Sequence, residues 1–161
     1  MNSETDGRKD FDFLHGRWKV HNRRLVRRLQ ACTEWQEFEA SQDVRPVLGG
    51  LGNVDTYSAL PFSDGKPLEG MTLRIFDPSA QTWSLYWADD RSCQLQPPVV
   101  GRFVDGRGEF SGDDVFDGKP IRVRFIWSHL TATSARWEQA FSVDGGETWE
   151  TNWYMVMTRI G

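Results

Sequence analysis

Turn-forming clusters recur about every 8 to 15 residues along most of this chain, the spacing of short strands joined as hairpins. Ser63-Asp64-Gly65, Asp77-Pro78-Ser79, Asp105-Gly106, Asp117-Gly118 and Asp144-Gly145-Gly146 separate runs of β-branched and aromatic residues, and each supplies residues that tolerate or pre-set turn dihedrals. No long stretch sustains a helical period. The pattern predicts strands near 17–29, 34–46, 52–59, 70–76, 81–88, 98–105, 107–116, 120–128, 135–142 and 148–159, with one helical turn within residues 8–15. About ten short strands of this kind form either a sandwich or a closed antiparallel barrel.

The 161 residues fit one domain, read here as a flexible N-terminus over 1–10 and a folded unit over 11–161. Eight Trp and ten Phe are more than a small core needs and suit a wide apolar interior. A net charge of −4 argues against a general nucleic-acid or anionic-membrane binder. No apolar run approaches the roughly 20 residues of a membrane helix. The start, Met1-Asn2-Ser3-Glu4-Thr5-Asp6, lacks the apolar core of a signal peptide, and Cys32 and Cys93 are isolated, so the expectation is a cytoplasmic protein with two reduced thiols.

Period-2 alternation indicates which side chains share the inner face. One face of the last strand carries Trp149, Trp153, Met155, Met157 and Arg159; elsewhere Ile121, Val123, Phe125 and Trp127 line up, as do Trp83, Leu85 and Trp87, and Met71, Leu73 and Ile75. Trp137, Gln139 and Phe141 form a further set, which makes Gln139 a polar group in an apolar lumen, in need of a partner.

Several motifs read more simply as structure than as chemistry. Ser142-Val143-Asp144-Gly145-Gly146-Glu147-Thr148-Trp149 matches the Asp-box of sialidase propellers, but a single copy is a stable hairpin in which Asp144 caps turn amides. The basic run Arg23-Arg24-Leu25-Val26-Arg27-Arg28 faces Glu34, Glu37 and Glu39 across a predicted hairpin, so mutual neutralisation is expected rather than a nucleic-acid surface. Asp89, Asp90 and Asp114 lie at strand ends, where they either cap turns or act as bases at a barrel mouth. Gly49-Gly50-Leu51-Gly52 lacks the strand–loop–helix context of a phosphate loop and reads as a tight turn. His15, His21 and His129 have no second ligand at metal spacing, so no zinc site is expected; a haem barrel stays open because one axial His suffices.

With Phe13-Leu14-His15-Gly16-Arg17-Trp18, Gly49-Gly50-Leu51-Gly52, Phe76-Asp77-Pro78 and Trp137-Glu138-Gln139-Ala140-Phe141-Ser142 through Asn152-Trp153, the chain resembles a family of uncharacterised lipocalin-like bacterial proteins in the calycin group. This group also holds lipocalins, fatty-acid-binding proteins and nitrobindin-type haem barrels. His15 stands where the family pattern has an aliphatic residue. The resemblance implies an up-and-down barrel with a lumen, one end closed by Trp18 and Arg159, and it implies no reaction.

The expected function is therefore binding of a small, largely apolar molecule by Trp83, Trp87, Trp127, Trp137, Trp153 and Met155, with Gln139 orienting it. An alternative is an isomerase, cyclase or lyase acting on a hydrophobic substrate by acid–base chemistry through Glu138, Asp89 or His21. A third reading is haem binding, and a fourth is a homodimer through an exposed strand face. No complete catalytic constellation is legible.

Overall fold

Alternation turns the first strand into a wall. In β1 (Gly16–Leu25) Trp18, Val20 and Asn22 are buried while Lys19, His21 and Arg23 are exposed. The same two-residue period runs through β2 (Trp35–Val47), β3 (Gly52–Ala59), β4 (Leu68–Asp77), β5 (Thr82–Asp89), β6 (Val99–Val104), β7 (Arg107–Phe116), β8 (Lys119–Ser128), β9 (Ser134–Ser142) and β10 (Glu150–Arg159). In the computed structural model, which describes residues 6–161, each strand pairs antiparallel with its sequence neighbours, and β10 returns to β1 to close the barrel. Closure leaves no sheet edge. Among the described residues no helix is long and apolar enough to cross a membrane.

One end is plugged. Two 3-10 turns, Gly7–Lys9 and Asp12–Leu14, carry Phe11 into the barrel, where it is fully buried against Trp83, Phe103, Phe110 and Trp127. Trp18 pairs in register with Arg159, whose guanidinium lies 4.3 Å over the indole. Trp18 Nε1 donates to Leu14 O at 2.8 Å, and the Arg159 guanidinium donates to the carbonyls of His15 and Phe13. Gly16 makes this closure feasible: its φ is +117°, and a Cβ there would lie 2.6 Å from Gly161 O. Residues 6–10 rest on the plug, with Gly7 O accepting from Trp83 Nε1 at 3.1 Å; residues 1–5 of the expected flexible start lie outside the described residues.

The structure corrects four readings of the sequence. The first strand ends at Leu25 rather than near 29, because Leu29 and Ala31 take positive φ and turn the chain. In β4 the buried positions are Leu68, Gly70, Arg74 and Phe76; Met71, Leu73 and Ile75 lie on the outer face. Both faces of β4 are apolar enough to be the inner one, and the choice is made by Asp55, which neutralises Arg74 inside. Trp149 precedes β10 and packs against Arg124 at 4.4 Å, outside the lumen; a bulge between Thr151 and Trp153 breaks the phase that would have carried it inward. Finally, Glu37 and Glu39 bond His21, at 2.9 and 2.6 Å, instead of the arginines, and these hydrogen bonds, Glu39 first, hold the imidazole above its ordinary pKa. Arg23 stacks on Trp35 at 4.4 Å, and Arg24 lies between Phe62 and Trp153.

The Asp-box is a capped hairpin. Asp144 accepts from Thr148 Oγ1 at 2.5 Å and from Thr148 N at 2.9 Å, and Ser142 Oγ donates to it at 2.7 Å. These bonds, led by the Thr148 hydroxyl, hold the carboxylate at about 2, below its ordinary 3.8. A folded value below the unfolded one means that stability is fully present above about pH 4 and is lost as pH falls toward 2. Asp144→Ala should flatten the stability-versus-pH profile across that window in urea titrations. A wild-type slope in the variant would show that the box contributes nothing to acid stability.

Candidate functional site

Above the plug lies a buried polar layer. Asp55 on β3 and Arg74 on β4 are both inward and almost fully shielded, and they pair at 2.7 Å. Gln42 Nε2 donates to the same Asp55 Oδ2 at 2.7 Å, Thr72 N donates to Oδ1 at 3.1 Å, and Arg74 Nη1 donates to Asn53 Oδ1 at 2.8 Å. A buried ion pair needs such partners to offset its desolvation. The Arg74 guanidinium sits 5.5 Å from the Phe11 ring centroid and 5.8 Å from that of Trp127, which places the layer between the plug and the open half.

Over this floor is a cavity of about 150 Å³. Of the seven residues expected at a ligand site, Trp87, Trp127, Trp137, Gln139, Trp153 and Met155 wall it together, joined by Phe125 and Val123. Trp83 does not: it packs edge-on against Phe11 at 5.0 Å, below the floor. It shares the inner face of β5 with Trp87, but it sits at the plugged end of that strand. Trp87 reaches its position by lying across Gly70, where a Cβ would fall 2.0 Å from the indole; glycine is the residue that leaves room for the ring.

The wall and the layer behind it carry more polar groups than alternation indicated. Gln139 has its expected partner, donating through Nε2 to Asn152 Oδ1 at 2.9 Å. Asn152 is fully buried because the β10 bulge turns it inward. Tyr57 Oη donates to Asn22 Oδ1 at 2.8 Å, Trp153 Nε1 donates to the same oxygen at 3.1 Å, and burial pushes the phenol above its usual pKa. Three of the missed groups were readable. Asn22 is in phase with Trp18, and Asp55 and Tyr57 share one face of β3. Arg74 was not readable, because alternation alone favoured its neighbours.

Some bonding capacity stays open. Gln42 Oε1, Arg74 Nε, Trp127 Nε1 and Asn152 Nδ2 are buried with no partner among the described residues. Each such atom costs about 1–3 kcal/mol while unmet. The mouth is formed by Gln96, Pro97, Asp113 and Asp114. Asp113 is paired with Arg122 at 3.0 Å, while Asp114 Oδ1 accepts only from Val115 N, at 2.7 Å, among the described residues. β5 and β6 pair over three positions, Trp83–Gly101, Ser84–Val100 and Leu85–Val99, and the 90–98 segment bridges the gap beside the mouth.

The groups named for acid–base chemistry lie elsewhere. Glu138 alternates out of phase with Trp137 and Gln139 and sits 3.5 Å from Arg136 on the outer face. Asp89 accepts from Trp87 Nε1 at 3.0 Å and from the amides of Arg91 and Ser92. Burial works against its charge, but these bonds prevail and hold its pKa below the ordinary value. His21 is outside the barrel with Glu37 and Glu39. None of His15, His21 and His129 borders the cavity, so none of them stands there to ligate a haem iron. Among the described residues no cluster of three His, Cys, Asp or Glu side chains could hold a metal ion.

No family model matches the chain, and no curated protein matches it in sequence. Solved structures match its shape. The S-type phycobiliprotein lyase CPES from Guillardia theta superposes with a TM-score of 0.64 at 10% identity, over 100% of this chain and 98% of that one. Rv2717c from M. tuberculosis gives 0.63 at 13% identity, over 95% and 96%. A redesigned β-barrel gives 0.51 at 12% identity, over 99% and 100%. At such identities the likeness is one of fold: the chain has a lipocalin-like closed barrel.

Proposed function

We propose that this barrel binds a small, largely apolar molecule in its lumen, with Trp87, Trp127, Trp137, Trp153 and Met155 as the apolar wall and Gln139 among the orienting groups. The observation that carries this reading is the cavity of about 150 Å³, walled by aromatic side chains and opening beside Gln96, Pro97 and Asp114. Small-molecule sites have this composition, mostly apolar with a few convergent polar groups. A dry cavity of about this size takes a molecule the size of benzene. The resemblance to uncharacterised lipocalin-like proteins and the fold of the phycobiliprotein lyase support the same reading.

Titration with one-ring aromatic compounds, followed through the fluorescence of the four cavity tryptophans, should give a saturable response. Val123→Phe places a ring in the space that Val123 borders. It should abolish that response while leaving the far-ultraviolet circular dichroism unchanged. An undiminished response in the variant, or no saturation in the wild type, removes the proposal.

A further inference from the structure

The polar atoms around the cavity restrict the ligand further, on the footing that the lumen is the binding site. We infer that the site selects an uncharged, planar aromatic molecule carrying a hydrogen-bond donor and acceptor side by side, as in a carboxamide or lactam.

Three observations converge on this class. The first is charge. Arg74 and Asp55 cancel each other at 2.7 Å, both almost fully shielded, so the cavity floor offers no spare counter-ion. An anion would have to pass Asp114 at the mouth and would find the charge of Arg74 already balanced by Asp55; a cation would meet Arg74 at the floor. Either ion would be desolvated without repayment.

The second is the direction of the open hydrogen bonds. Asp55 Oδ2 can only accept when ionised, so Gln42 must turn its amide nitrogen to it, which fixes Oε1 as the free atom. That Oε1 has no partner among the described residues and calls for a donor. Gln139 donates its Nε2 to Asn152 Oδ1, which leaves its carbonyl oxygen as a further acceptor on the cavity wall. Arg74 Nε and Trp127 Nε1, both on cavity residues and both unpartnered, call for acceptors. Gln42 Nε2 and Arg74 Nη2 meet at one carboxylate oxygen, 2.7 Å from each, so the free acceptor and the free donor belong to two neighbouring side chains of the cavity floor. A ligand edge with an N–H next to a C=O answers both.

The third is shape. Indoles of Trp87, Trp127, Trp137 and Trp153 face the space, and flat rings pack on such walls with the least unfilled volume.

The test is an isosteric series on the wild-type protein: benzamide, toluene, benzoate and benzamidinium, by isothermal calorimetry and by the indole N–H resonances. Benzamide should bind at least tenfold more tightly than each of the other three, because only it meets both a donor and an acceptor without a charge. Gln42→Met and Gln139→Met should each bring the benzamide-to-toluene ratio toward one; if either variant fails to fold, the wild-type ratio still decides. Toluene binding as tightly as benzamide overturns the inference and leaves lumen binding standing. Tightest binding of benzoate or benzamidinium overturns it too and assigns the floor to an ion. No saturation by any of the four overturns lumen binding and the inference with it.

Discussion

Arg74→Met should lower the unfolding free energy by about 3–5 kcal/mol, the usual cost of stranding one partner of a buried ion pair. Asp55 is fully shielded, and among the described residues its carboxylate would keep only Gln42 Nε2 and Thr72 N as donors. The variant also removes the donor to Asn53 Oδ1, itself buried. Urea denaturation measures the loss directly. A second substitution separates charge from packing: adding Asp55→Asn removes the stranded charge, so the double variant should be more stable than Arg74→Met alone. A loss below about 1 kcal/mol for Arg74→Met is the size of a solvent-exposed pair and would contradict the burial described above. The pair forms the floor of the cavity, so a variant that still folds should also lose ligand discrimination, which gives the experiment a second readout.

Trp18→Ala should cost about 3–5 kcal/mol, the range for removing a large aromatic side chain from a core. The indole is fully buried, caps the plugged end, and donates to Leu14 O at 2.8 Å. Its loss leaves the Arg159 guanidinium without the ring 4.3 Å beneath it and frees the Asp12–Leu14 turn from its anchor. Arg159→Met should cost less, since it removes hydrogen bonds to the carbonyls of His15 and Phe13 but leaves the indole in place. Equal losses, or a larger loss for Arg159→Met, would place the weight of the closure on the guanidinium instead. Ligand affinity should change little in a folded Trp18 variant, because Trp18 does not border the cavity.

The arrangement of these residues also explains how much could be read in advance. The ten strands were legible because Gly, Asp and Pro punctuate the chain and each turn residue acts locally. The Trp18–Arg159 closure was expected from the lipocalin-like resemblance, and the observed register pairs those two residues. Six of the seven residues expected at a ligand site line one cavity; four of them, Trp87, Trp127, Trp137 and Gln139, lie on β5, β8 and β9, where only one face is apolar and period 2 leaves no choice. Trp83 shows the limit: alternation tells which face a side chain is on, not how far along the barrel axis it lies. β4 shows another. Met71, Leu73 and Ile75 form as apolar a face as the one that was buried, and a one-residue shift of phase inverts the assignment. Trp149 was misplaced by the bulge at Thr151–Trp153, which has no local signature strong enough to predict.

The sequence by itself determined the strand count, the turns and most of the aromatic wall, because these depend on local propensity and two-residue periodicity; closure into a barrel was expected from the lipocalin-like resemblance and its Trp18–Arg159 pair. The tertiary structure alone decided the polar half of the site. Arg74 faces inward because Asp55, nineteen residues earlier on the neighbouring strand, stands ready to neutralise it, and Gln42 is oriented by the same carboxylate. Asn152, at the β10 bulge, is buried and bonded to Gln139. Burying a charge is favourable only when its partner is buried beside it, and that partnership is a property of the closed barrel rather than of either strand.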